Sequence, residues 1–275
     1  MSSPLPNPSP PGPLSHPLPS PRERGNRRAA GGAPLDVLAI GAHPDDVELS
    51  CGGTLAVLAA RGRRVGILHL TRGERGTRGT AAERRAEAEA AAAALGAVEL
   101  DFLDCGDGAL RHGEAEEDAL LAVIRRWRPE ILLGPPPEDR HPDHGRGHRL
   151  VRDAAFYSGL ARRAEGDPHR PGAVFSYMQH DAFTPSFIVD VTTGWEKKVA
   201  ALACYDSQLY RPRQAGDGGR DEPETKVSSR EFALSIEGRA RHFGQMIGAE
   251  LGEAFWSPVP LAVPDVTALV PGGHR

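Results

Sequence analysis

Cysteine is scarce in this chain. Its three residues, Cys51, Cys105 and Cys204, form neither a CxxC pair nor an even framework. That excludes a disulfide scaffold and points to a reducing, cytoplasmic setting. Long apolar runs are missing as well: no stretch approaches the ~18 residues that a membrane-spanning helix requires, so no membrane partner is expected. There is no basic surplus, since 33 Lys and Arg face 37 Asp and Glu for a net charge of -4. A general nucleic-acid binder would carry the opposite balance. No internal repeat is visible. What is present, 39% apolar and 25% charged residues in 275, suits one soluble globular core.

The start of the chain is a different material. Nine of residues 1 to 21 are proline, and Arg22, Arg24, Arg27 and Arg28 follow before Gly31-Gly32. No continuous apolar segment resembles a secretory signal. Proline at this density removes backbone donors and favours extended, solvated chain. The expectation is a disordered Pro/Arg-rich tail over residues 1–33 and one folded domain over 34–275. A ligand for a proline-binding module is the lesser alternative.

From Leu35 onward, apolar strand patterns alternate with helical ones. Strands are expected over 35–40, 65–70, 98–102, 130–133, 173–177 and 187–191. Helices are expected over 48–61, 81–95, 114–127, 147–160 and 230–247. A further helix should run to about Cys204 from a capping box at Thr193-Gly194-Trp195-Glu196. Residues 211–228, polar and glycine-rich, read as a long loop or flap. Short apolar strands separated by such helices imply right-handed βαβ units. The predicted fold is therefore α/β: a Rossmann-like, mostly parallel sheet with helices on both faces and its active site at the carboxyl edge.

Two clusters stand at that edge. Ala42-His43-Pro44-Asp45-Asp46 follows the first strand, and Asp139-Arg140-His141-Pro142-Asp143-His144 follows the fourth. Imidazoles and a carboxylate converging there make a three-ligand zinc site with a position left for water. The first cluster alone reads equally well as a polar turn with a helix-capping aspartate. The second cluster tips the balance, because His141, His144 and His148 fall within eight positions. Asp143 can orient one imidazole by hydrogen bond. His148 reads as a solvated first-turn residue and His69 as a satisfied core histidine. The loop Arg72-Gly73-Glu74-Arg75-Gly76-Thr77-Arg78 suits an anionic small molecule better than RNA, since guanidinium pairs two-pronged with carboxylate.

The paired clusters resemble the LmbE or PIG-L family of zinc-dependent N-acetylglucosaminide deacetylases, over about Leu35 to Gly248. Finer features are similar to the bacillithiol-biosynthesis deacetylases, which act on N-acetylglucosaminyl malate. These are His43-Pro44-Asp45-Asp46-Val47-Glu48, Leu70-Thr71 with Gly79-Thr80, Asp139 to Gly145, Pro168-His169-Arg170 and Tyr205-Asp206-Ser207-Gln208. The resemblance implies zinc, or Fe²⁺ in vivo, on His43, Asp46 and His144. It further implies Asp45 as general base, His141 (as imidazolium) at the oxyanion, and Arg84 and Arg170 on the substrate. It also implies a homo-oligomer. Where some relatives carry a tyrosine near the reacting carbonyl, the corresponding position here is Phe232. The expected activity is hydrolysis of the N-acetyl group of N-acetylglucosaminyl L-malate. A mycothiol-type inositol glucosaminide or a chitooligosaccharide is the alternative substrate, and a non-catalytic sugar-binding protein the alternative class.

Overall fold

The computed structural model describes residues 33–210, 222–263 and 265. All of the tail expected over 1–33 except its last residue, and residues 211–221 of the expected flap, lie outside them.

The elements run β1 (Val37–Gly41), α1 (Asp46–Ala60), β2 (Val65–His69), α2 (Ala81–Leu95), β3 (Glu99–Phe102), α3 (Glu114–Trp127) and β4 (Ile131–Gly134). They continue as α4 (Pro142–Tyr157), β5 (Ala173–Tyr177), β6 (Phe187–Asp190), α5 (Trp195–Leu202), α6 (Arg230–Ile247) and β7 (Gly252–Trp256). The sheet order is β3-β2-β1-β4-β5-β7-β6. The first five strands are parallel, while β7 is antiparallel to both β5 and β6. Strand order reverses between β1 and β4, and a crevice opens at the carboxyl ends of such a pair.

Burial on both faces explains the continuous apolar strands. Val37 and Ala39 of β1 join Val65 and Ile67 of β2 in a core with α1 and α2. Leu38 and Ile40 point the other way, toward Leu120 and Ile124 of α3 and Leu150 of α4.

Three expectations need correction. Helix α4 starts at Pro142, five residues before the predicted Gly147, so the second cluster lies on a helix start instead of a loop. His141 is its N-cap and Pro142 its first residue, a place where proline's missing N–H is no loss. The capping box at Thr193 does not form: a 3₁₀ turn fills Thr192–Gly194, and α5 starts from Gly194 with no side-chain cap. Strand β7 escaped the sequence reading because Glu253 breaks its apolar pattern.

Glu253 is nonetheless buried, and its partners explain why. Its carboxylate accepts from Lys198 Nζ at 2.6 Å, from the Gly53 and Thr54 amides at 2.9 and 2.7 Å, and from Thr54 Oγ1 at 2.6 Å. A side chain at Gly53 would put its Cβ 2.9 Å from that carboxylate, so only glycine permits the approach. Lys198 and Glu253 are each 3% exposed. Removing one partner of such a pair strands a buried charge. Lys198→Met should therefore lower unfolding free energy by about 3–5 kcal/mol in urea titrations. A loss below about 1 kcal/mol would show that the amide donors alone satisfy Glu253.

Candidate metal centre and active site

The site begins with a turn that the backbone resists. Asp45 sits at φ 107°, a left-handed conformation rare for any residue but glycine. Gly41 makes the turn possible, since a Cβ there would lie 2.9 Å from the His43 carbonyl oxygen and 3.2 Å from the Asp46 Cβ. The turn is held by Thr71 Oγ1 donating to the Ala42 carbonyl at 2.9 Å and by the His43 amide donating to Asp46 Oδ2 at 2.8 Å. Asp45 occupies the N-cap position of α1, yet its side chain makes no capping bond. The capping explanation for this aspartate therefore fails, and its carboxylate points elsewhere.

The structure brings both clusters together across the β1–β4 crevice. The His43 ring centroid is 4.7 Å from that of His141 and 5.7 Å from that of His144. Asp46 presents one oxygen to each prospective partner: Oδ2 is 3.4 Å from His43 Nδ1, and Oδ1 is 3.5 Å from His144 Nε2. Tetrahedral zinc with bonds near 2.0–2.2 Å needs donors roughly 3.3–3.6 Å apart. Behind His144, Asp139 Oδ1 lies 3.3 Å from Nδ1. A carboxylate on one ring nitrogen frees the other for a metal. Asp143 Oδ2 is 3.3 Å from His43 Nε2, while its Oδ1 accepts from the Leu110 amide at 3.1 Å and Arg146 Nη1 at 2.9 Å.

Two other donor groupings share His43 at this site. The imidazoles of His43, His141 and His144 offer nitrogens within 4.8 Å of one another, as do ligand atoms of His43, Asp107 and Asp143. The Asp46 set differs from both in placing one carboxylate between two imidazoles, each backed by a further carboxylate, Asp143 behind His43 and Asp139 behind His144. In the three-imidazole set, His141 Nδ1 already accepts the Asp143 amide at 3.2 Å.

Electrostatics point the same way. Burial works against a proton on His43, but hydrogen bonds to Asp143 and Asp46 raise its pKa to about 10. Burial likewise opposes His144, and Asp46 followed by Asp139 raises it to about 9. Burial would raise Asp46, but His144 and then His43 hold it well below the usual carboxylate range. The carboxylates thus accommodate two protons at the spot where a divalent cation on neutral imidazoles would carry the same charge. Donor types and charge suit a divalent cation such as zinc or Fe²⁺.

The remaining site residues fall into place around this centre. Burial raises Asp45 to about 7 even though Arg84 pulls it down. Arg84, only 4% exposed, donates to the Pro44 carbonyl and lies 3.3 Å from Asp45 Oδ2. It braces the turn from inside. His141 is held low by burial and then by His43 and His144. Its Nδ1 accepts the Asp143 amide proton, which favours the neutral imidazole with its hydrogen on Nε2 over the imidazolium. Arg170 does not join the group. It precedes β5, at the amino edge of the sheet, and donates to the Phe156 carbonyl at 2.9 Å. Phe232 reaches the periphery, its ring 5.5 Å from His180.

Four residues near the centre went unassigned in the sequence. Asp139 backs His144. Asp107 Oδ1 is 3.3 Å from His43 Nε2. Gln179 donates to Asp46 Oδ1, and the His180 ring stacks on His144 at 5.8 Å. Asp107 follows β3, while Gln179 and His180 follow β5, so the carboxyl-edge rule applied to every strand would have found them. His148 is buried, with Nδ1 3.1 Å from both the Pro135 carbonyl and Ser176 Oγ, and is not a solvated residue. His69 is in the core as expected, but neither ring nitrogen has a hydrogen-bond partner, and burial lowers it to about 3.

Comparison with known proteins follows the same lines. The family model for PIG-L, GlcNAc-PI de-N-acetylase, matches residues 38–155. Diacetylchitobiose deacetylase of Thermococcus kodakarensis is 33% identical over 63% of this chain and 70% of its own length. 4-Oxalmesaconate hydratase of Pseudomonas putida is 31% identical over 63% of this chain and 74% of its own. The crystal structure of the conserved protein TT1542 from Thermus thermophilus superposes with a TM-score of 0.75 at 33% identity. That match covers 88% of this chain and 100% of the other.

The ligand sets make opposite predictions. With His43, Asp46 and His144 as ligands, His144→Ala should abolish stoichiometric metal and His141→Ala should leave it intact. Asp139→Asn should weaken binding by about 10–100-fold. Elemental analysis and chelator competition read all three. Metal lost from His141→Ala but kept in Asp46→Asn would identify the three-imidazole set instead.

Proposed function

The chain belongs to the PIG-L family of GlcNAc-PI de-N-acetylases, and from that premise we propose that it hydrolyses the N-acetyl group of an N-acetylglucosaminide with an anionic aglycone. Within that class, the proposed substrate is N-acetylglucosaminyl L-malate, giving glucosaminyl malate and acetate. The observation that carries the reading is Asp45: a buried carboxylate at a strained position, unused as a cap, beside a ready-made cation site.

When held by His43, Asp46 and His144, a divalent cation supplies Lewis acidity toward the acetyl carbonyl and acidifies water. The protein does the rest. Asp45 accepts the proton of the attacking water, fixed for that purpose by Arg84. His141 donates its Nε2 hydrogen to the oxyanion that develops on the former carbonyl. Asp45 returns its proton to the departing nitrogen, so the amide becomes acetate and a free amine. Asp45→Asn should retain metal while kcat falls by about 10²–10⁴. Near-full activity in that variant would sink the mechanism.

Recognition of the aglycone falls to different arginines from those first expected. Arg84 is committed to the turn and Arg170 lies at the other edge. Arg72 and Arg75 are exposed on the loop after β2. The Arg75 amide donates to Asp107 Oδ2 at 2.7 Å, which ties this loop to the His43 side of the site. Arg140, next to His141, is exposed as well. A lost charge-assisted hydrogen bond is worth about 1.5–3 kcal/mol, so Arg75→Ala should cut kcat/KM for the malate glucosaminide by roughly 10- to 150-fold. N-acetylglucosamine, lacking carboxylates, should be nearly unaffected. Equal losses on both substrates would remove the malate assignment and leave the broader deacetylase reading.

The hydratase relative supports one other reading, addition of water to an unsaturated carboxylate by the same base. It would be favoured if 4-oxalmesaconate were consumed and no N-acetylglucosaminide were.

A further inference from the structure

A second constellation lies outside this centre and shares none of its residues. His112 ends the loop before α3, Glu117 sits in the first turn of that helix, and Asp153 lies on α4. His112 Nε2 is 3.0 Å from Asp153 Oδ2 and 3.6 Å from Glu117 Oε1. One ligand atom from each of the three lies within 4.8 Å of the others. Asp153 is nine residues beyond His144 on the same helix, about 14 Å along its axis.

Several features distinguish this group from an ordinary surface ion pair. Its donors come from three separate elements and have the imidazole-plus-two-carboxylate composition favoured by zinc. The distances from His112 Nε2 to the two carboxylates are within a few tenths of an ångström of the roughly 3.3–3.6 Å that tetrahedral zinc requires. Glu117 is also divided in its duties. Arg163 Nη2 holds Oε2 at 2.8 Å, which leaves Oε1 turned toward His112. Outer partners that fix a ligand in this way raise affinity. The surroundings are acidic even after Arg163 is counted, because Glu114 and Asp118 lie 2.5 and 3.3 Å from the same guanidinium. Asp153 is half exposed, which gives an ion a path from solvent.

We propose that His112, Glu117 and Asp153 form a second divalent-cation site, a zinc-class site that ties the loop before α3 to α4. It needs no substrate, and its role is to fasten the α3–α4 layer that carries His144 at its far end.

Zinc titration of the full chain, with its catalytic site already loaded, tests this by calorimetry. A second equivalent should bind and raise the melting temperature. Asp153→Asn should weaken that second step by more than about tenfold, and His112→Gln combined with Asp153→Asn should abolish it together with the thermal shift. First-equivalent binding and deacetylase activity should be unchanged in both variants. The proposal is overturned if the loaded protein takes up no second ion. It is equally overturned if Asp153→Asn binds the second ion as wild type does, which would place that ion at the catalytic centre or on scattered surface groups.

Discussion

One strained turn governs the chemistry of this protein. Between β1 and α1 the chain must reverse tightly enough to aim His43 and Asp46 at α4 while leaving Asp45 between them. A left-handed aspartate costs about 1–3 kcal/mol. The cost is met locally, by Gly41 beneath the turn, by Thr71 on the Ala42 carbonyl, and by Arg84 on the Pro44 carbonyl. The strain also keeps the carboxylate of Asp45 away from the amides it would otherwise cap. A relaxed turn would let the Asp45 carboxylate cap α1 and leave it no longer turned into the site.

The opposite wall is simpler. At the start of α4, His141 caps the helix through Nδ1 and His144 follows on the first turn, so three residues of helix geometry set the two imidazoles at a ring distance of 5.2 Å. The same hydrogen bond occupies His141 Nδ1 and leaves Nε2 to face the site. Electrostatics then divide the carboxylates by neighbour. Asp46 and Asp139 face imidazoles and stay ionised, while Asp45, more thoroughly desolvated than compensated, is left with a pKa suited to proton transfer.

Much of this was legible in the sequence, for identifiable reasons. Helices α2, α3 and α6 carry strong local propensity and their bounds follow from it. The strands that are buried on both faces announce themselves by unbroken apolar runs. The histidines of the candidate metal site stand out because two short clusters each follow such a run. The start of α4 was hidden because His-Pro-Asp-His-Gly has poor helix propensity, and only the cap and the N1 proline reveal it. Strand β7 was hidden because Glu253 finds its partners, Lys198, Gly53 and Thr54, far along the chain. Arg84 and Arg170 illustrate the same limit. A guanidinium's role depends on which edge of the sheet it reaches, and spacing along the chain does not encode that.

The claim that joins these parts is that water attacks an acetyl carbonyl at the Asp45 centre. Turnover of an N-acetylglucosaminide by the metal-loaded protein in heavy-oxygen water tests it most directly, with both products followed by mass spectrometry. One heavy oxygen is expected in the released acetate, none in the sugar, and a free amine on the glucosamine ring. An intact acetamide across such substrates, with the heavy oxygen instead entering an unsaturated carboxylate, would contradict it.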